Sequence, residues 1–184
     1  MAKRASQSAK TEAQIGKLER ETRRIDGRIR RLRTRLARKV PDYTLTGWDG
    51  KPVKLSKLFG RNRDLILVHN MGKACPYCTI WADGFNGVHK HIAGRAAFVV
   101  ASPDHVATQK RFAKARGWGF RMVSSRGSPL FRDMGFEGKD GGPWPGVTTF
   151  RKRKDGIRRI ASAPFGPGDK FCSVFNLFDL LPMR

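Results

Sequence analysis

The chain has little cysteine, little acid and no long apolar run. Three cysteines among 184 residues are too few for a disulfide scaffold, so a cysteine pair here reads as catalytic or metal-binding rather than structural. No stretch of about 18 apolar residues occurs, so neither a membrane-spanning helix nor a membrane partner is expected. The N-terminus is basic but lacks the apolar core of a secretory signal, and a cytoplasmic location is the expectation. Acidic side chains number 15 against 38 Lys and Arg, a formal charge of +23. Fourteen of the basic and four of the acidic residues lie in the first forty, so the excess is shared by both parts of the chain. Such a charge attracts any polyanion, nucleic acid included, and an acidic protein equally well. The hydrophobic share of 39% and aromatic share of 10% are enough to bury a core and exclude global disorder.

What is present reads as one main domain with an appendage. A helix is predicted from Thr11 to Pro41. Ile15, Leu18, Thr22, Ile25, Ile29, Leu32 and Leu36 recur at alternating spacings of three and four, a heptad seam interrupted by Thr22. Gly16 and Gly27 each cost about 1 kcal/mol relative to alanine. The seam needs a partner, either a second subunit or its own domain. Its flanks are rich in Arg, which a homodimeric coil would bring together twice. Residues 1–40 are therefore a basic helical extension and 41–184 the main domain. There, short strands at Tyr43–Leu45 and Val53–Leu55 lead to a helical turn over Leu55–Phe59. Leu65–Val68 and Ala96–Ala101 read as strands buried on both faces. An amphipathic helix runs from Cys78 to Ile92, and another from Ser102 to about Arg116. After a short strand or extended link over Phe120–Ser124 and a helical turn at Ser128–Met134, Gly138–Gly146 forms a loop. Val147–Arg151 and Ile157–Ala161 form a hairpin. A last helix over Lys170–Leu180 turns Phe171, Val174, Phe175 and Phe178 inward.

The chemistry-bearing stretch is LILVHNMGKACPYCTIWADGFNGVHKHI, Leu65 to Ile92. It reads strand, turn, then Cys75-Pro76-Tyr77-Cys78 opening a helix. Helix N-terminal amides stabilise a thiolate at the first cysteine, and the second follows one turn later, within reach of a mixed disulfide. Cys75 is the expected nucleophile and Cys78 the resolver. Pro76 suits an early helical position, where its missing N–H is not needed. Lys73 and His69 are candidate supporting groups, and Trp81 reads as core beside the site. A zinc site is not expected: His89 and His91, two residues apart on a helix, point in nearly opposite directions. Cys172 reads as a small core hydrophobe, and Asp83 as a cap or ion-pair residue. No cofactor is called for.

At CPYC the chain resembles the thioredoxin superfamily, and the tetrapeptide itself is similar to that of glutaredoxin. YTLTGWDGKPVKLSKLFG followed by LILVHN resembles a peroxiredoxin-type entrance to that fold. More broadly, ETRRIDGRIRRLR, DYTLTGWDG, LSKLFGR, LILVHNMG, CPYCTIWADGFNGV, FVVAS, FAKARGW and LFDLLP together resemble a family of thioredoxin-like proteins. That family is grouped as a domain of unknown function and predicted to comprise dithiol-disulfide oxidoreductases. The resemblance implies an α/β thioredoxin-like sandwich with peroxiredoxin-type N-terminal strands and an added basic N-terminal helix. Two departures stand out. Only Lys73-Ala74 separates HNMG from CPYC, and Thr148 stands where thioredoxins carry a cis proline facing the dithiol. Thr148 is thus a candidate hydroxyl facing Cys75, on a trans backbone.

The reading that follows is a thiol-disulfide oxidoreductase acting through Cys75 and Cys78 on protein or low-molecular-weight disulfides. Glutathione or a thioredoxin-type protein is the expected reductant, and the N-terminal helix a candidate dimer contact. One alternative is a nucleic-acid-binding or scaffolding protein using the Arg20–Lys39 helix and the RKRKDGIRR hairpin. Another is a thiol peroxidase. Peroxiredoxins require a Thr-x-x-Cys site, and Gly72 stands three residues before Cys75, although Arg126 offers a positive group.

Overall fold

The computed structural model describes residues 2–182. Residues up to Ala37 form one compact unit and those from Arg38 another. The first is a single helix, α1 (Ala2–Arg35). The sequence carries that helix on to Pro41, but it stops at Arg35. Arg38–Val40 instead form strand β1, antiparallel to β8 (Gly156–Pro164). Nothing in Arg38-Lys39-Val40 announces a strand; the open edge of β8 supplies the backbone partners that make it one.

The second unit is built on one sheet of eight strands in the order β1, β8, β7 (Gly146–Arg153), β4 (Asp64–His69), β5 (Ala97–Ser102), β6 (Arg121–Ser124), β2 (Thr44–Thr46), β3 (Pro52–Lys54). β4, β5 and β6 are parallel neighbours; the remaining pairs are antiparallel. The parallel strands are joined by α3 (Pro76–Ala93) and α4 (Val106–Arg116), the crossover that parallel pairing demands. Both sheet edges are short and carry charge or proline: Arg38 and Lys39 on β1, Pro52 and Lys54 on β3. Such edges discourage pairing with another chain.

The alternation along β4 divides the core. Leu65 and Leu67 join Leu45, Leu55, Phe59, Val99, Leu130 and Phe150 on one face, where α2 (Leu55–Leu58) and α5 (Leu130–Met134) pack. Val68 joins Trp81, Phe98, Val100, Trp118 and Phe165 on the other, under α3. The expected helices and central strands therefore form, with ends shifted by a few residues. The last helix is shorter than its pattern suggests: α6 spans only Ser173–Phe178. Val174 and Phe175 pack against the aromatic cluster, but Phe178 is 60% exposed and Phe171 38%. Phe171 precedes the first turn, and the final turn runs past the cluster it was expected to cover.

Phe150 pairs with Leu65 across the central antiparallel ladder and is almost fully buried. Phe150→Ala is expected to reduce unfolding free energy by about 3–5 kcal/mol, read from urea denaturation followed by tryptophan fluorescence.

Candidate active site

The loop that carries the dithiol leaves the end of β4 and is held from two sides. Asn70 hangs from the sheet through its N–H on the Ala101 carbonyl at 2.9 Å. Its side-chain oxygen accepts the Gly72 N–H at 2.7 Å, and its amide nitrogen donates to the Cys78 carbonyl at 3.4 Å. From the far side, Asp104 accepts the Lys73 N–H at 2.8 Å. Gly72 passes beside that carboxylate with φ of +107°, and a Cβ there would lie 2.9 Å from both carboxylate oxygens. Only glycine combines that backbone with that approach.

Cys75 caps α3. Its sulfur accepts the Cys78 N–H at 3.1 Å, and Pro76 takes the first helical position. This is the arrangement the sequence predicts: a partly exposed sulfur at the positive end of an 18-residue helix. Cys78 lies one turn on, buried, with its sulfur accepting the Met71 N–H at 3.4 Å. Burial, followed by its hydrogen bond to Cys75 and the charge on that residue, pushes the Cys78 thiol up to about 12. The two sulfurs thus differ in kind: Cys78 is kept as a thiol beside Cys75. All three cysteines are free.

The supporting candidates divide. Tyr77 is half exposed and tilts toward Trp81 and Phe175 at 6.4 and 6.5 Å between ring centres. Trp81 is buried and donates to Asp169 at 3.3 Å, so it ties the dithiol helix to the segment before α6. Lys73 enters through its backbone N–H, and its side chain is exposed.

His69 and Thr148 come together, but on the other face of the sheet. Thr148 pairs with Leu67, so both side chains point away from the face covered by α3. The His69 Nε2 and the Thr148 hydroxyl are 2.8 Å apart, and that hydroxyl lies 3.0 Å from Ser162. The imidazole is stacked on Phe136 and edge-on to Phe131. The expected Thr148 hydroxyl facing Cys75 is therefore replaced by a core hydrogen bond, and the period of two in a strand is the reason. Burial, with the nearby Arg159 charge, lowers the His69 pKa to about 3, so the ring is neutral near pH 7.

Of the remaining candidates, Asp83 accepts from Trp118 at 2.8 Å and pairs with Arg116. His89 is held to the Asn86 carbonyl at 2.9 Å. Cys172 is buried among the aromatics near Trp81. Arg126 lines a recess of about 220 Å³ with Pro103, Ser128 and Glu137. The sequence reading missed Asn70 and Asp104. A polar residue directly after a buried strand was the signal for the first. Asp104 had been assigned to a helix start, but α4 begins only at Val106.

Two outcomes are expected. At pH 8 iodoacetamide should modify Cys75 and leave Cys78 unlabelled until the chain is unfolded, as mapped by peptide mass; equal labelling would contradict the asymmetry. Between pH 6.5 and 3 the unfolded chain binds a proton at His69 that the folded chain does not, so stability is present above that window and lost as pH falls through it. Relative to His69→Gln, the protein should lose up to about 1.4 kcal/mol per pH unit there, measured by urea unfolding.

The sequence and the fold have counterparts among known proteins. Peroxiredoxin Q of Triticum aestivum is 30% identical over 118 residues, 64% of this chain and 54% of that protein. That of Arabidopsis thaliana is 30% identical over 122 residues, 66% and 56% of the two chains. The chain thus spans about half the length of these curated relatives. The crystal structure of the peroxidoxin BcpB from Mycobacterium tuberculosis superposes with a TM-score of 0.57 at 27% identity, covering 70% of this chain and 84% of that one. A PrxQ of Xylella fastidiosa gives 0.60 at 16% identity, over 78% and 94%, a likeness of fold. The α/β thioredoxin-like fold with its N-terminal helix agrees with these structures. The cytoplasmic expectation is overturned, since the curated relatives are chloroplastic proteins. Lack of a secretory signal separates no organelle from the cytosol. The chain is similar to peroxiredoxin Q and shares the thioredoxin-like fold of these structures, and, with residues 3–183 matched by the family model, it belongs to the family described as bacterial protein of unknown function (DUF899).

Proposed function

We propose that the protein is a dithiol thiol peroxidase in which Cys75 reacts with a hydroperoxide and Cys78 resolves the product. The observation that carries this is the sulfur pair itself: a partly exposed Cys75 at a helix N-terminus, with a buried, protonated Cys78 hydrogen-bonded to it. The relationship to peroxiredoxin Q supports peroxide as the oxidant.

The Cys75 thiolate attacks one peroxide oxygen, and the O–O bond breaks. Cys75 becomes a sulfenic acid, and water or an alcohol leaves after taking a proton. The Cys78 sulfur then attacks the Cys75 sulfur. The S–O bond breaks, the Cys78 proton leaves with the hydroxide as water, and a disulfide forms. An external dithiol, or two glutathione molecules, returns two electrons and two protons. No bound group is needed, because every electron passes through sulfur. The Cys78 N–H, already 3.1 Å from the Cys75 sulfur, steadies the negative sulfur before attack.

Attack on a disulfide instead of a peroxide is the second reading. Tyr77, half exposed beside the pair, favours it by offering apolar surface to a protein substrate.

One equivalent of hydrogen peroxide added to the reduced protein should remove 2 Da as a Cys75–Cys78 disulfide forms. Cys78→Ser should accumulate a dimedone-reactive sulfenic acid on Cys75, and Cys75→Ser should consume peroxide at least a hundredfold more slowly, on the order expected for loss of a nucleophile. Formation of the disulfide with a model disulfide such as oxidised glutathione, but not with peroxide, would transfer the conclusion to the oxidoreductase reading.

A further inference from the structure

The seam of α1 is a row of apolar side chains on a single helix. Ile15, Leu18, Ile25, Ile29, Leu32 and Leu36 are 38–61% exposed. With Ile15 and Leu18 as heptad positions a and d, Thr22 falls at a, and both helical glycines, Gly16 and Gly27, fall on the outward side. The seam is thus free of glycine along its length.

The charges beside it are not uniformly basic. The e and g positions carry Glu12, Glu19, Glu21 and Asp26 in the first part of the helix, all the acids that α1 has, and Arg28, Arg33 and Arg35 in the last part. The outward positions hold the remaining bulk of the Arg and Lys. The flanks therefore change sign near Gly27. In a parallel pair, each g residue meets the e residue five positions on in its partner. Glu21 would then face Asp26, and Arg28 would face Arg33: like against like. In an antiparallel pair with Ile15 opposite Leu32, Leu18 opposite Ile29 and Thr22 opposite Ile25, the facing flanks are Glu21 with Arg28 and Glu12 with Arg33. Glu19 against Asp26 is the one unfavourable contact, and Glu19 already has Arg23 within its own helix at 4.0 Å.

We infer that α1 is a dimerisation element that pairs antiparallel with α1 of a second copy of this chain, its direction chosen by the sign change of the flanking charges. The occupant is a second copy because the flank is complementary to its own reverse. The two-fold arrangement uses each favourable pair twice and closes on itself, which limits assembly to a dimer.

The test is sedimentation equilibrium of the full chain under reducing conditions in about 0.1 M salt, a regime in which flank charges still act. A concentration-dependent dimer is expected. Glu21→Arg and Arg28→Glu should each weaken it by about tenfold. The double exchange should restore it, and Ile29→Lys should leave a monomer. Helix content by circular dichroism is followed for each variant, and the paired single variants provide the same reading should one misfold. A chain that is monomeric at all concentrations would overturn the inference, as expected if the seam folds onto its own domain. Tightening by Glu21→Arg, the parallel outcome, or failure of the double exchange to restore the dimer would overturn it equally.

Discussion

The candidate site depends on the clasp that Asn70 and Asp104 place around the turn after β4. The carboxylate of Asp104 takes the Lys73 N–H and the side chain of Asn70 takes the Gly72 N–H, so consecutive amides of the turn are held by groups that follow the ends of β4 and β5. Asn70 is bonded in turn to β5 and to the Cys78 carbonyl. The clasp thus sets where α3 starts, and the start of α3 sets which sulfur lies at the helix end and which beneath it. Gly72 is the one residue type that its backbone and the nearby carboxylate allow together.

From that placement the asymmetry of the thiols follows without further devices. Cys75 sits at the N-cap, where its sulfur accepts the Cys78 N–H; Cys78 sits one turn in, where burial favours the neutral thiol. A nucleophile and a proton-bearing resolver are what both peroxide reduction and disulfide exchange require. The geometry alone leaves the two reactions equivalent, and the proposal of a peroxide oxidant rests on the likeness to peroxiredoxin Q. The buried His69 and Thr148 contribute otherwise: the imidazole Nε2 and the hydroxyl pair inside the opposite core layer, while the His69 Nδ1 has no hydrogen-bond partner among the described residues.

Much of this was legible from local pattern. Continuous apolar runs marked β4 and β5, the 3.6-residue period marked α3, and CPYC between strand and helix marked the dithiol. These signals are short in range, because each is written in residues that lie within one or two turns of one another. Strand β1 was not legible, since Arg38-Lys39-Val40 has no strand pattern and pairs only because β8 offers it an edge. The clasp was equally hidden, because Lys73 and Asp104 are 31 residues apart.

The sequence by itself determined the central strands and the main helices, the α/β class, the position of both cysteines at a helix start and the seam of α1. Periodicity, capping and helix electrostatics act over a few residues and need no partner. Only the tertiary structure decided which face of the sheet each strand residue took. By pairing Thr148 with Leu67 it turned that hydroxyl away from the dithiol and toward His69. Strand register is set by non-local packing, and a single step in register reverses every side chain on the strand.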